Sequence, residues 1–204
     1  MKRVYFLVVA IAVAAAITSC KKDDAGGSSF IPEGKLTIKL ETNASKVDKV
    51  KVFAEGYPNN TEIFSGSFDN GSITLALPAT LADKCLTDMG KTDYANIPKG
   101  QKSNIKISNM NAKIGSVWIQ AYKGNSSVDG LILGKVTKNG YVSGFIYYSD
   151  SDVSVTGKYD GESISVNLKK GYNIVYETND ATTTKDPGGM KWYLEYDFYE
   201  MSGH

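Results

Sequence analysis

The chain contains one histidine, and it is the last residue, His204. A Ser-His-Asp or Cys-His site needs an imidazole held in place by its surroundings, and a chain terminus is a poor place to hold one. The same scarcity excludes a histidine-rich zinc centre. Cysteine is nearly as rare, with only Cys20 and Cys85 present. The fold must therefore rest on its core rather than on a network of disulfides. Neither sign of charge dominates, since 23 Lys and Arg stand against 22 Asp and Glu. That balance offers nucleic acid no basic surface. No glycine-rich phosphate loop leads into a helix, and no Gly-x-Ser-x-Gly elbow occurs.

What the sequence has in quantity is alternation. Leu36, Ile38 and Leu40 alternate with Lys35, Thr37, Lys39 and Glu41, and Val50, Val52 and Ala54 with Lys49, Lys51 and Phe53. This is the pattern of half-buried strands. Ile63 to Phe68 and Ile73 to Leu77 continue it, joined by Asp69-Asn70-Gly71, whose Asn-Gly pair suits a tight hairpin. Ser116–Tyr122, Leu131–Val136, Tyr141–Tyr148, Val153–Tyr159, Ser163–Leu168, Tyr172–Glu177 and Lys191–Phe198 complete the set. About ten or eleven strands at regular spacing predict an all-β fold, a mostly antiparallel β-sandwich. Thr80 to Met89 is the one short helix expected, with Thr80 as cap and Gly90 as stop. Residues 91–113 are polar and read as a long connection, so a sub-boundary at 79–113 would permit two small β units. The block from Gly34 to Pro78 resembles the small transthyretin-like or carboxypeptidase-regulatory sandwich modules.

The amino terminus is of another kind. Lys2 and Arg3 precede an uncharged apolar run from Val4 to Ile17, followed by Thr18, Ser19 and Cys20. A basic start, a short apolar stretch and small residues describe a secretory signal. The run falls short of the ~20 apolar residues of a comfortable membrane span, which makes a signal anchor the second choice. Ile17-Thr18-Ser19-Cys20 resembles the lipobox of bacterial lipoproteins. The resemblance implies cleavage before Cys20, lipidation of its thiol and acylation of the new amino terminus. Two or three acyl chains, at ~0.8 kcal/mol per buried methylene, hold a domain on a bilayer where one chain does not. The alternative is an ordinary signal with a chance cysteine. Lys22-Asp23-Asp24 resembles the export tag of surface lipoproteins in Gram-negative gut anaerobes, which implies an outer-membrane protein facing the cell exterior. It also reads as the charged start of a solvated tether. The segments Gly171-Tyr172-Asn173-Ile174-Val175-Tyr176 and Gly189-Met190-Lys191-Trp192-Tyr193 resemble a recurring pair in small surface lipoproteins of such organisms. Residues 1–19 are thus the expected signal peptide, 20–33 the lipidated cysteine and tether, and 34–204 the β body. With Cys20 lipidated, only Cys85 remains free, and it reads as a packed small hydrophobe.

Residues able to carry chemistry are few. Glu195, Asp197 and Glu200 lie close together, and a glycosidase needs only two carboxylates across a cleft. Alternating acids on a strand more commonly mark its solvated face. Asp150-Ser151-Asp152 could join a Ca²⁺ site, or be an Asp-rich turn that satisfies its own backbone. No metal site and no cofactor are expected. The thirteen Tyr and two Trp are the better lead, since exposed rings stack on sugar faces or anchor a protein partner. Trp192, Leu194, Tyr196 and Phe198 are expected to fill the core. Tyr141, Tyr147 and Tyr193 are the expected ligand-binding residues. The sequence therefore predicts a non-enzymatic, membrane-anchored β-sandwich that binds a glycan or a surface protein. The alternatives are an assembly component of an appendage or envelope complex and, behind it, a carbohydrate-active enzyme.

Overall fold

The alternating segments become fifteen strands in the computed structural model, which describes residues 29–97, 103–138 and 140–203. Cys20 with its lipobox, the Lys22-Asp23-Asp24 segment and His204 lie outside the described residues. In the first half are β1 (Phe30–Ile31), β2 (Lys35–Lys39), β3 (Lys49–Ala54), β4 (Thr61–Ser67), β5 (Ser72–Ala76), β6 (Thr87–Asp88) and β7 (Lys106–Ile107). The second half holds β8 (Lys113–Lys123), β9 (Ser126–Thr137), β10 (Gly140–Ser149), β11 (Val153–Tyr159) and β12 (Glu162–Leu168). It ends with β13 (Gly171–Glu177), β14 (Ala181–Thr183), β15 (Lys191–Leu194) and one helix, α1 (Glu195–Ser202).

The fold is all-β, sandwich-like and mostly antiparallel. Thirteen strands form one sheet, along the path β4-β3-β8-β9-β10-β13-β14-β12-β11-β7, and β2 pairs with β5 in a small second sheet. The pairing of β12 with β14 is parallel. The small sheet covers one face of the large one. Ile38 and Leu75 from it meet Val50, Val52, Ile119, Ile146 and Tyr172 in the main core. A backbone bond from Glu41 to the Trp192 carbonyl at 3.1 Å ties β2's end to β15. Past β13 the sheet bends through β14, so that β11 and β12 fold back over the opposite face. Val153, Val155, Ile164, Val166 and Leu168 there bury Val175 in a second core. Strand β13 is therefore covered on both sides along most of its length, with Tyr172 and Tyr176 in the main core and Val175 in the second.

Three expectations are corrected. Asn70 and Gly71 do adopt the left-handed conformations of a tight turn, at φ 52° and 77°. The strands beside them do not form a hairpin, however, because β4 pairs with β3 and β5 with β2. The turn is a corner between layers, and the four strands of the Gly34–Pro78 block belong to two sheets. Residues 80–89 form no α-helix; short 3-10 turns at Asp83–Cys85 and Met89–Lys91 flank β6. The reason is that Leu81 and Cys85 are buried in the main core and Met89 in the second. A helix would present all three along one stripe to a single core.

The last strand stops at Leu194, and α1 replaces its expected continuation to Phe198. Glu195 and Asp197 in the first turn suit a helix amino terminus. Asp129 on β9 accepts the Tyr196 N–H at 2.8 Å, and Gly203 closes the far end at φ 81°. Trp192, Leu194 and Phe198 are buried as expected, whereas the helical turn leaves Tyr196 67% exposed.

Candidate functional site

The outer face of β3, β8, β10 and β13 carries a groove. Cross-strand pairing sets Phe53 opposite Trp118, Ser116 opposite Tyr147 and Phe145 opposite Val175, so these side chains share one face. The groove begins where the sheet forks. Strand β9 pairs with β8 up to Leu131 and then with β10, while β10 takes over β8 from Ile146 onward. A hollow of about 450 Å³ opens at this fork, lined by Trp118, Gln120, Phe145, Glu55, Asn60 and Glu195 among others. Trp118 stacks on Phe53 with ring centres 4.6 Å apart, and Phe145 is 38% exposed.

Glu55 and Asn60 also line the next hollow, of about 890 Å³, beside Tyr57, Ser116, Lys84 and Lys91. Tyr57 stands at its margin with 89% of its surface exposed. This hollow shares Thr92, Asp93, Ile114 and Tyr147 with a third cavity of about 380 Å³, which lies between β10/β13 and the folded-back β11/β12 pair. The three spaces adjoin, successive ones sharing lining residues, and each has at least one aromatic wall.

The third cavity lies under the folded-back β11/β12 pair. Its floor is Val155, Val166, Leu168 and Val175, and its polar groups include Asp93, Tyr94, Tyr147, Tyr159, Glu162, Glu177 and Thr182. Tyr94 and Tyr159 meet edge to face at 6.1 Å. Thr182 donates its hydroxyl to Glu162. No donor among the described residues reaches the Glu177 carboxylate, and burial, with Glu162 adding repulsion, holds it above the usual carboxylate range. Burial, then the charge of Glu177, pushes the Tyr147 hydroxyl up to about 12. Burial, followed by Glu162 and Glu177, also raises Tyr94. Asn173, one β13 position of the same face away from Val175, shows the contrast: all of its amide group is engaged by the Lys169 backbone and the Gly171 carbonyl.

The three expected ligand-binding tyrosines separate. Tyr147 lines the cavity. Tyr141 and Tyr193 instead pack on Phe198, at ring distances of 5.6 and 5.7 Å, and seat α1 on the sheet. Glu195 reaches the fork hollow, while Asp197 turns away to accept bonds from Thr42 and Asn43. Asp150 accepts the Lys113 N–H and the Ser151 hydroxyl, and Asp152 accepts the Lys170 N–H and pairs with Lys169. That is the turn satisfying its own surroundings. Among the described residues no group of three metal-ligating side chains occurs. Cys85 is buried, with its thiol 3.4 Å from the Thr61 hydroxyl.

Sequence reasoning missed Tyr94, Tyr159, Glu162 and Glu177. A signal was present for three of them. Tyr159 and Glu162 flank the Asp160-Gly161 turn and are directly opposite one another. Glu177 ends a strand apolar on both faces, where a carboxylate is out of place. No family model, curated protein or solved structure matches the chain.

Proposed function

We propose that the chain is a lipid-anchored protein of the outer membrane, facing outward, whose β body binds a glycan along this groove without cleaving it. The observation that carries the reading is the run of aromatic side chains along adjoining hollows. Trp118 and Phe145 line the first, Tyr57 and Tyr147 the second, and Tyr147, Tyr94 and Tyr159 the third. Apolar ring faces with polar tips, beside a few carboxylates and amides, suit the alternating apolar and hydroxyl surfaces of sugars. The resemblance of Ile17-Thr18-Ser19-Cys20 to a lipobox, and of Lys22-Asp23-Asp24 to an export tag, supports the anchor and the side.

The test is a glycan array probed with the full-length protein in nanodiscs, followed by titration of the retained oligosaccharides. Retention of extended oligosaccharides more strongly than of their monosaccharides is expected. Retention of none overturns the reading. Protease added to intact cells should remove the β body, and survival of the body while other surface proteins are cut would refute the outward orientation.

A second reading, glycoside hydrolysis, draws on one observation: Glu162 and Glu177 share a cavity, and Glu177 has the raised affinity for a proton that a general acid needs. Release of reducing ends that disappears in Glu177→Gln would favour it over binding alone.

A further inference from the structure

Among the described residues, Asp93, Glu162 and Glu177 line the inner end of the groove, and neither lysine nor arginine does. The chain as a whole is close to neutral, so the bias is local. Seven carboxylates elsewhere on the described surface pair with lysines, among them Glu33 with Lys35, Glu62 with Lys51, Glu41 with Lys191 and Asp152 with Lys169. None of the ion pairs among the described residues involves the three acids of the cavity.

Two carboxylates in a largely apolar space repel each other, and only one of them is answered by a hydroxyl. A cation entering the cavity relieves both. A metal ion is the poorer occupant, because the described residues bring no three metal-ligating side chains together and the floor of Val155, Val166, Leu168 and Val175 is apolar. A cation clothed in carbon fits well. Its alkyl groups lie on the valines and leucine, its charge faces the carboxylates, and the rings of Tyr94, Tyr147 and Tyr159 attract it through their negative faces.

We propose that this cavity takes an organic ammonium group, its carbon skeleton against the Val155–Val175 floor and its charge shared between Glu162 and Glu177. The inference rests on the groove being the binding site, and it names the chemistry read at the inner end. Two kinds of ligand carry that chemistry, a quaternary ammonium compound and an amino sugar.

The experiment is calorimetric titration of the full-length protein in nanodiscs near neutral pH. Choline is compared with its uncharged tert-butyl isostere, and glucosamine with glucose. A preference of about tenfold or more for either charged member is expected. Preference in the choline pair identifies a quaternary ammonium ligand, and preference in the glucosamine pair an amino sugar. Glu162→Gln and Glu177→Gln, which keep shape and remove charge, should each reduce the preference without lowering the melting temperature. Equal binding of charged and neutral partners overturns the inference and leaves the glycan reading standing. Cation preference with no oligosaccharide retained upholds the inference and removes the glycan reading. Binding of no probe, or a preference unchanged in both variants, overturns the inference.

Discussion

Glu162 and Glu177 face one cavity from strands that share no edge. Between them lies β14, where Thr182 donates its hydroxyl to Glu162 and pairs through its backbone with Glu177. One residue thus holds the two acids in register while satisfying only one of them.

Glu177 makes the first prediction. Its carboxyl binds a proton more tightly in the folded chain than in the unfolded one, where carboxylates titrate near ~4.3. Ionisation therefore weakens the fold as pH rises from the unfolded value through the raised folded value, and the loss stays constant above it. Glu177→Gln should melt higher than the parent at neutral pH, with the gap closing as pH falls to about 4. Melting curves across that range check the sign, and a variant that melts lower at neutral pH contradicts it.

Tyr172 carries a different kind of defect. It is 2% exposed, its hydroxyl finds no partner among the described residues, and its ring meets Tyr148 at 5.2 Å. Removing an unpaired buried hydroxyl relieves a desolvation cost, so Tyr172→Phe should be neutral or stabilising by up to about 1 kcal/mol. Denaturant titration measures this. A clear loss of stability would show that the hydroxyl has a partner.

The seat of α1 is open to a paired test. Phe198 is fully buried, and a Cβ added at Gly134 on β9 would overlap its ring. Phe198→Ala should cost about 3–5 kcal/mol. Gly134→Ala should displace the helix, seen as faster amide exchange across residues 195–202 with little change in the second core. Unchanged exchange there would mean that the helix is not seated on Gly134.

Trp118 tests the outer end of the groove. It is half-buried and stacked on Phe53, so Trp118→Ala should cost stability only modestly, by about 1 kcal/mol. Affinity for a retained oligosaccharide should fall at least about fivefold, equivalent to about 1 kcal/mol. Undiminished affinity would place the sugar elsewhere.

Cys20→Ala tests the anchor. Without acyl chains the β body, once cut from its signal, should leave the membrane fraction. Continued sedimentation with membranes would point to a signal anchor in place of a lipid.

Period-2 alternation was enough, by itself, to determine that Val50, Val52, Ile119, Ile146 and Trp192 turn inward and that the chain is all-β, and the Asn70-Gly71 pair that the chain turns sharply there. The abundance of tyrosine pointed to Tyr147 together with Tyr141 and Tyr193, of which only Tyr147 lines the cavity. Alternation reports which face of a strand is buried and is silent on which strand lies beside it. Neighbours are chosen by the burial of the whole chain at once. That choice split the expected β4–β5 hairpin between two sheets, and it drew Leu81 and Met89 into different cores in place of a helix. At the carboxyl end, Asp129 on a distant strand and the space over Gly134 turned an alternating segment into α1. The cavity is the same kind of product. Glu162, Glu177, Tyr94 and Tyr147 come from four separate segments, and only the bend of the sheet through β14 brings their side chains around one space.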